Sequence, residues 1–140
     1  MKVYFACSIR GGRADAEYYA KLVEHIKKKA TVLSEIFVDN KLTAGGMDKP
    51  SHDIWKTDTN WISEADVIIA EVTNPSLGVG YEISLAESLN KPILALFRDD
   101  SNKKLSAMID GSPKTKVVNY KTLEEARKAI DQFLDKRAIV

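Results

Sequence analysis

Apolar positions along the chain follow two rhythms that alternate. The short runs "KVYFACS" (2–8), "TVLSEIFV" (31–38), "DVIIAEV" (66–72), "PILALF" (92–97) and "TKVVNY" (115–120) read as strands. Between them the spacing lengthens. In "ADAEYYAKLVEHIKKKA", Tyr19, Leu22, Val23, Ile26 and Ala30 recur at helical intervals. "SHDIWKTDTNWISEA" reads as a second helix with Ser51 as its N-cap. A third helix is expected over about 79–90, a short one within 98–111, and a last amphipathic one in "LEEARKAIDQFLDK". "DNKLTAGGMDKP" is polar and Gly-containing, as a loop is. The third strand is almost wholly apolar, which fits a strand covered on both faces.

Strands that alternate with helices predict crossovers and a parallel sheet. The expected fold is α/β: a three-layer, flavodoxin-like (Rossmann-like) arrangement on a five-stranded parallel sheet, with residues 1–140 forming one domain. Ligands of such sheets bind beyond the carboxyl ends of the strands, where strand order reverses. That rule picks out three loops: 8–13 after the first strand, 73–80 after the third and 98–106 after the fourth.

Charge narrows the partners. Lys plus Arg number 21 and Asp plus Glu 20, so there is no basic footprint for nucleic acid and no polybasic surface for a membrane. The single cysteine, Cys7, rules out an intrachain disulfide and fits a reducing compartment. "MKVYFACSI" is too short and too soon interrupted for a secretory signal. The expectation is a soluble cytoplasmic domain, or a nuclear one if the source is eukaryotic.

Chemistry concentrates in three places. "SIRGGR" leaves a strand and enters a helix, where backbone amides approach an anion and Ser8, Arg10 and Arg13 add donors. It matches neither a Walker loop nor GxGxxG, so an ordinary Gly-rich turn with solvated arginines stays open. Asp58 sits among Ile54, Trp55, Trp61 and Ile62, the apolar stripe of its helix. A carboxylate there is either a buried structural acceptor or a proton-transfer group with a raised pKa. In "NPSLGVGYE" a loop with two glycines precedes Glu82, expected in the first turn of its helix on one face with Leu85, Ala86 and Leu89. The positive helix end would lower its pKa and keep a nucleophile ionised; simple capping chemistry is the other reading. Gly78 and Gly80 serve either ligand approach or turn geometry. Two carboxylates facing one cleft point to glycosidic-bond chemistry. Tyr4 and Tyr81 are further candidates, although Tyr4 also fits a core position, and Glu71 at the end of strand three is ambiguous. His25 and His52 have no metal-ligand spacing with Cys7, so no metal and no cofactor are expected.

"VYFACSIRGGR", "DTNWISEADVIIAEVTNPSLGVGYE" and "LSAMI" together resemble the 2'-deoxynucleoside 5'-phosphate N-hydrolases (the Rcl proteins), relatives of the nucleoside 2-deoxyribosyltransferases. The likeness keeps segment order over nearly the whole chain. It implies hydrolysis of the N-glycosidic bond of deoxynucleoside 5'-monophosphates to free base and 2-deoxyribose 5-phosphate. By resemblance Glu82 is the nucleophile of a covalent intermediate, Tyr4 modulates it, and Asp58 is its acid–base partner. The phosphate-binding set drawn from these motifs is Cys7, Ser8, Ile9, Arg10, Gly11, Gly12, Arg13, Ser76 and Gly78. It is completed by Ser106, Ala107 and Met108, with Ser106 supplied by the other subunit of a homodimer. Cys7 stands where animal members have glycine, and Ile36 where the family has a histidine; the 43–49 loop also differs.

Two other functions are open: base exchange on unphosphorylated deoxynucleosides, and non-catalytic nucleotide binding on the same fold. The transferases resembled here carry an aspartate six residues before the nucleophilic glutamate; this chain has Ser76. Like charges ~4 Å apart at an effective dielectric of ~20 cost roughly 4 kcal/mol, so a hydroxyl there favours a phosphorylated substrate. Two inward carboxylates argue against a pure anion binder.

Overall fold

The computed structural model describes residues 1–9, 13–34, 49–99 and 102–138. Strands β1 (Lys2–Ala6), β2 (Thr31–Val32), β3 (Val67–Glu71), β4 (Ile93–Arg98) and β5 (Thr115–Tyr120) form one sheet, in the order β2-β1-β3-β4-β5. All four pairings are parallel. Helices α1 (Arg13–Lys27), α2 (Ser51–Glu64), α3 (Leu77–Ser88), α4 (Ala107–Asp110) and α5 (Leu123–Ala138) connect and cover it. The expected three-layer α/β architecture is the one observed.

Strand alternation divides the core in two. Val3 and Phe5 of β1, Val67 and Ile69 of β3, and Leu94 and Leu96 of β4 face one side, with Leu22 and Ile26 of α1 and Ile130 and Phe133 of α5. Tyr4, Ala6, Ile68, Ala70, Ile93 and Ala95 face the other, with Ile62 of α2 and Val79, Ile83 and Ala86 of α3. Both faces of the central strands are thus apolar, as helices on both sides require. On the α2–α3 side, Ala6, Ala70 and Ala95 stand in one row across three strands. Ala70 and Ala95 are fully buried in that core, while Ala6 borders the cavity at the strand ends.

Several boundaries differ from the sequence expectation. Strand β2 ends at Val32, and at 33–34 the chain turns and a side chain takes over the ladder. The buried Ser34 hydroxyl donates to the Phe5 carbonyl and accepts from the Phe5 amide, both at 2.8 Å. Residues 35–38 lie outside the described set. The α2 N-cap is Pro50 rather than Ser51, with no side-chain cap bond, and Ser51 is the first helical residue. Most consequential is α3. It begins at Leu77, because the Ser76 hydroxyl caps it by accepting from the Val79 amide at 3.2 Å. Gly78 and Gly80 therefore lie inside a helix and not in a loop. Glu82 falls in the second turn, not the first.

Candidate active site

Strand order reverses between β1 and β3, since the chain runs from β1 out to β2 and returns to pair β3 on the opposite edge. The crevice beyond their carboxyl ends is where this fold holds ligands. A cavity of about 220 Å³ opens there. β1 and its following loop supply Tyr4, Cys7 and Ile9; α2 supplies Ile54, Trp55, Asp58 and Thr59; the start of α3 supplies Ser76, Gly78, Tyr81 and Glu82.

At its base Tyr4 is 1 % exposed, and its hydroxyl donates a short hydrogen bond to Glu82 Oε2. Strand alternation turns Tyr4 to the α3 side, and Glu82 reaches it from the second turn of α3. Burial pushes the Glu82 carboxyl up to about 7; the bond from Tyr4 pulls the other way, and the Asp58 charge adds to the rise. This reverses the lowered pKa expected from the helix dipole. That effect fades after the first turn, whereas desolvation acts on the whole carboxylate. Tyr4 itself is raised, first by burial and then by the Glu82 and Asp58 charges, so it stays a hydroxyl donor.

Asp58 lines the same cavity from α2, and burial raises it to about 6. Its Oδ1 is buried without a hydrogen-bond partner, so the structural-acceptor reading lacks its donor. Cys7 is buried, and desolvation, then the Glu82 and Glu71 charges, hold its thiol protonated. A Cβ on Gly78 would meet only the Ser76 hydroxyl oxygen, at 3.8 Å, so the missing side chain leaves open cavity.

Glu71 resolves as a structural group. It is 1 % exposed and accepts from the Thr73 amide at 2.7 Å, the Thr73 hydroxyl at 3.0 Å and the Tyr120 hydroxyl. Thr73 Oγ1 in turn accepts from the Arg98 amide at 2.9 Å. The ends of β3, β4 and β5 are thereby tied beneath the segment that delivers Ser76.

A second cavity, of about 530 Å³, lies on the other side of the α3 N-terminus, between α3 and α4. Ser76 lines both cavities, whereas Ser106 and Met108 line only this one. The expected residues therefore form two groups within one chain. Ser8 is buried and Ala107 exposed, and neither lines these cavities. Arg10, Gly11, Gly12 and the side chain of Arg13 lie outside the described residues, as do Ile36 and most of the 43–49 loop. Leu105 and Ile109 pack against the chain's own α2–α3 core, while Met108 is 84 % exposed. Leu89, expected to face inward with Glu82, is 42 % exposed.

Sequence reasoning passed over Thr59 and assigned Ile54 and Trp55 to the apolar stripe. A signal was present for two of them: Ile54 and Trp55 stand four and three residues before Asp58, the spacing that shares a helix face, whereas Thr59 directly follows Asp58 and had none. Among the described residues no His, Cys, Asp or Glu cluster has the arrangement of a metal site, and no helix is long and apolar enough to cross a membrane.

Comparison with known proteins gives the chain its family. The chain is 49% identical over 112 residues to the 5-hydroxymethyl-dUMP N-hydrolase of Rattus norvegicus, covering 79% of this chain and 69% of that protein. It is 42% identical over 139 residues to the protein of the same name from Danio rerio, covering 96% of each. The solved structure of the CMP N-glycosidase BcmB of Clostridium botulinum has a similar fold, with a TM-score of 0.69 at 19% identity, covering 94% of this chain and 99% of that one. Residues 3–127 match the model of the nucleoside 2-deoxyribosyltransferase family, and with relatives at this identity the chain belongs to that family.

Proposed function

We propose that this chain hydrolyses the N-glycosidic bond of 2'-deoxynucleoside 5'-monophosphates, releasing free base and 2-deoxyribose 5-phosphate. The observation that carries the reading is one cavity at the β1–β3 switch, where Tyr4 holds the Glu82 carboxylate and Asp58 stands unpartnered on the facing helix. The relatives' names support the reaction class.

In the proposed mechanism ionised Glu82 attacks C1' of the deoxyribose while the C1'–N bond breaks. The bonding pair leaves with the base, and Asp58 gives the base its proton. Water then attacks C1' of the glycosyl ester, yields a proton to the Asp58 carboxylate and releases Glu82 as a carboxylate. Glu82 and Asp58 titrate close together, near 7 and 6, so the pair carries one proton over that interval. That proton rests mainly on Glu82, the higher of the two, and the form that reacts is the one with the proton moved to Asp58 and Glu82 ionised.

Ser76 faces the sugar phosphate in this reading, with Cys7 and Ile9 lining the same cavity and Gly78 leaving room. Ser106, Ala107 and Met108 close the phosphate site from the second subunit of a homodimer. The location of Ser106 across α3 from the carboxylates supports this, because its own chain's cavity does not include it. A cytoplasmic site of action, where the nucleotide pool is, belongs to the same proposal.

The test is incubation with a panel of deoxynucleoside monophosphates, followed by chromatographic detection of base. Release in water alone is expected, with ribonucleotides slower because a 2'-hydroxyl withdraws electrons from an oxocarbenium-like transition state. Base formation only when an acceptor base is added would convert the reading to a transferase. Tight binding with no base formed would leave a binding module.

A further inference from the structure

The upper part of the cavity holds two large aromatic side chains that the mechanism does not use. Trp55 is 50 % exposed and Tyr81 57 % exposed, yet both line the cavity. Ile62 of the same α2 stripe is fully buried, so Trp55 is not spent on the core. The two rings come from different helices and are joined across the solvent-facing edge of the cavity, the Trp55 Nε1 donating to the Tyr81 hydroxyl at 3.2 Å. Trp55 lies one turn before Asp58, and Tyr81 directly precedes Glu82.

The geometry points to Trp55 as the residue that stacks on the leaving base, with Tyr81 as the tether that sets its indole plane. This rests on the proposed hydrolysis and names the part of the site that recognises the base. With C1' at Glu82 and the base reaching toward Asp58, the next surface the base meets on α2 is the turn before Asp58, which is Ile54 and Trp55. Both offer apolar area. An indole presents a wide π-face that accepts any planar heterocycle, while its N–H is already satisfied by Tyr81 and does not read base edges. The tether matters because an indole held in place before binding loses less freedom when the base arrives. The His52 ring lies 5.9 Å from the indole at 30°, one turn back on α2. Trp55 thus contributes to the base and not to the sugar phosphate.

That division gives the test. Trp55→Ala is expected to raise KM for deoxynucleoside monophosphates about 5- to 100-fold, the range for losing one base–aromatic stack. The inhibition constant of 2-deoxyribose 5-phosphate, a product without a base, is expected to stay within about twofold. Tyr81→Phe keeps the ring and removes the acceptor, so a smaller rise in KM is expected. A parallel rise in KM and in the product's inhibition constant would overturn the assignment, since it would mean general distortion. So would an unchanged KM, or a change of oligomeric state in Trp55→Ala, which would put the indole in a protein interface. Tryptophan fluorescence provides the second measurement. Titration of Glu82→Gln protein with a deoxynucleotide is expected to quench emission, and Trp55→Phe in that background is expected to abolish the quench although Trp61 remains. If the wild-type chain released no base, the hydrolase reading would fall, and the quench would still decide for or against the base contact.

Discussion

At the scale of single residues, the poise of Glu82 is set by opposing effects of known sign. Burial and the Asp58 charge raise its carboxyl and the Tyr4 hydrogen bond lowers it, leaving it near 7, above the ordinary 4.5. The folded chain therefore binds more protons than the unfolded chain between about pH 4.5 and about pH 7. Stability contributed by this residue falls as pH rises through that window. Glu82→Gln removes the effect. The variant is expected to match wild type at pH 4 and to exceed it at pH 8 by about 1–3 kcal/mol in urea unfolding, while losing on the order of 10³-fold or more in turnover. An equal offset at both pH values would show that Glu82 does not titrate from a raised position. Tyr4→Phe removes the one contact that favours the carboxylate, so the acid limb of the kcat/KM profile is expected to move to higher pH. An unmoved limb would remove Tyr4 from the control of Glu82. The raised pKa of Asp58 was legible from its place among apolar neighbours at helical spacing. The direction for Glu82 was not. Its sequence offset from two glycines suggested a helix start, and desolvation depends on what packs around it, which only the fold supplies.

At the scale of elements, α3 explains both what was read and what was missed. Glycines at 78 and 80 are a loop signal in any sequence, yet both are helical here, because Ser76 supplies the cap and Val79, Ile83 and Ala86 supply a buried face. Tertiary packing overrides the cost of two glycines, about 1 kcal/mol each relative to alanine. Gly78→Ala is thus expected to stabilise the fold by about 0.5–1 kcal/mol in thermal or urea unfolding while lowering kcat/KM, since its methyl group would project into the cavity. A stabilised variant with full activity would show that substrate does not come near Gly78. Ser76 offers a cleaner substitution. Aspartate caps a helix as well as serine does, so Ser76→Asp should keep α3 intact and add a charge at the cavity. Activity on monophosphates is expected to fall about 10- to 1,000-fold relative to unphosphorylated deoxynucleosides, from roughly 4 kcal/mol of like-charge repulsion at most. An unchanged ratio would mean that Ser76 does not face the phosphate. The five strands were readable because each is a short apolar run; β2 was over-extended because no hydropathy pattern reveals that Ser34 bonds sideways to Phe5.

At the scale of the whole molecule, the proposed shared site has a direct consequence. The α3–α4 side exposes Leu77 and Met108 beside Ser106. If two chains complete each other there, mixing Glu82→Gln with Ser106→Ala chains puts both defects in one site of the mixed dimer and neither in the other. Activity above both parents is expected once subunit exchange is verified by mass. An impaired Ser106→Ala chain that mixing does not rescue would confine the site to one subunit. The two-sided core has a different consequence, which concerns change over generations. Every carboxylate of the proposed chemistry lies on the α2–α3 side of the sheet, while α1 and α5 cover the other with large aliphatic and aromatic groups. Phe5 and Cys7 belong to that layer and also line the chamber, but substitutions on α1 and α5 themselves can reinforce it without touching the chamber's lining, and drift in the chamber draws on stability held there. One layer is free to be tuned for heat or lifespan while the other explores new bases.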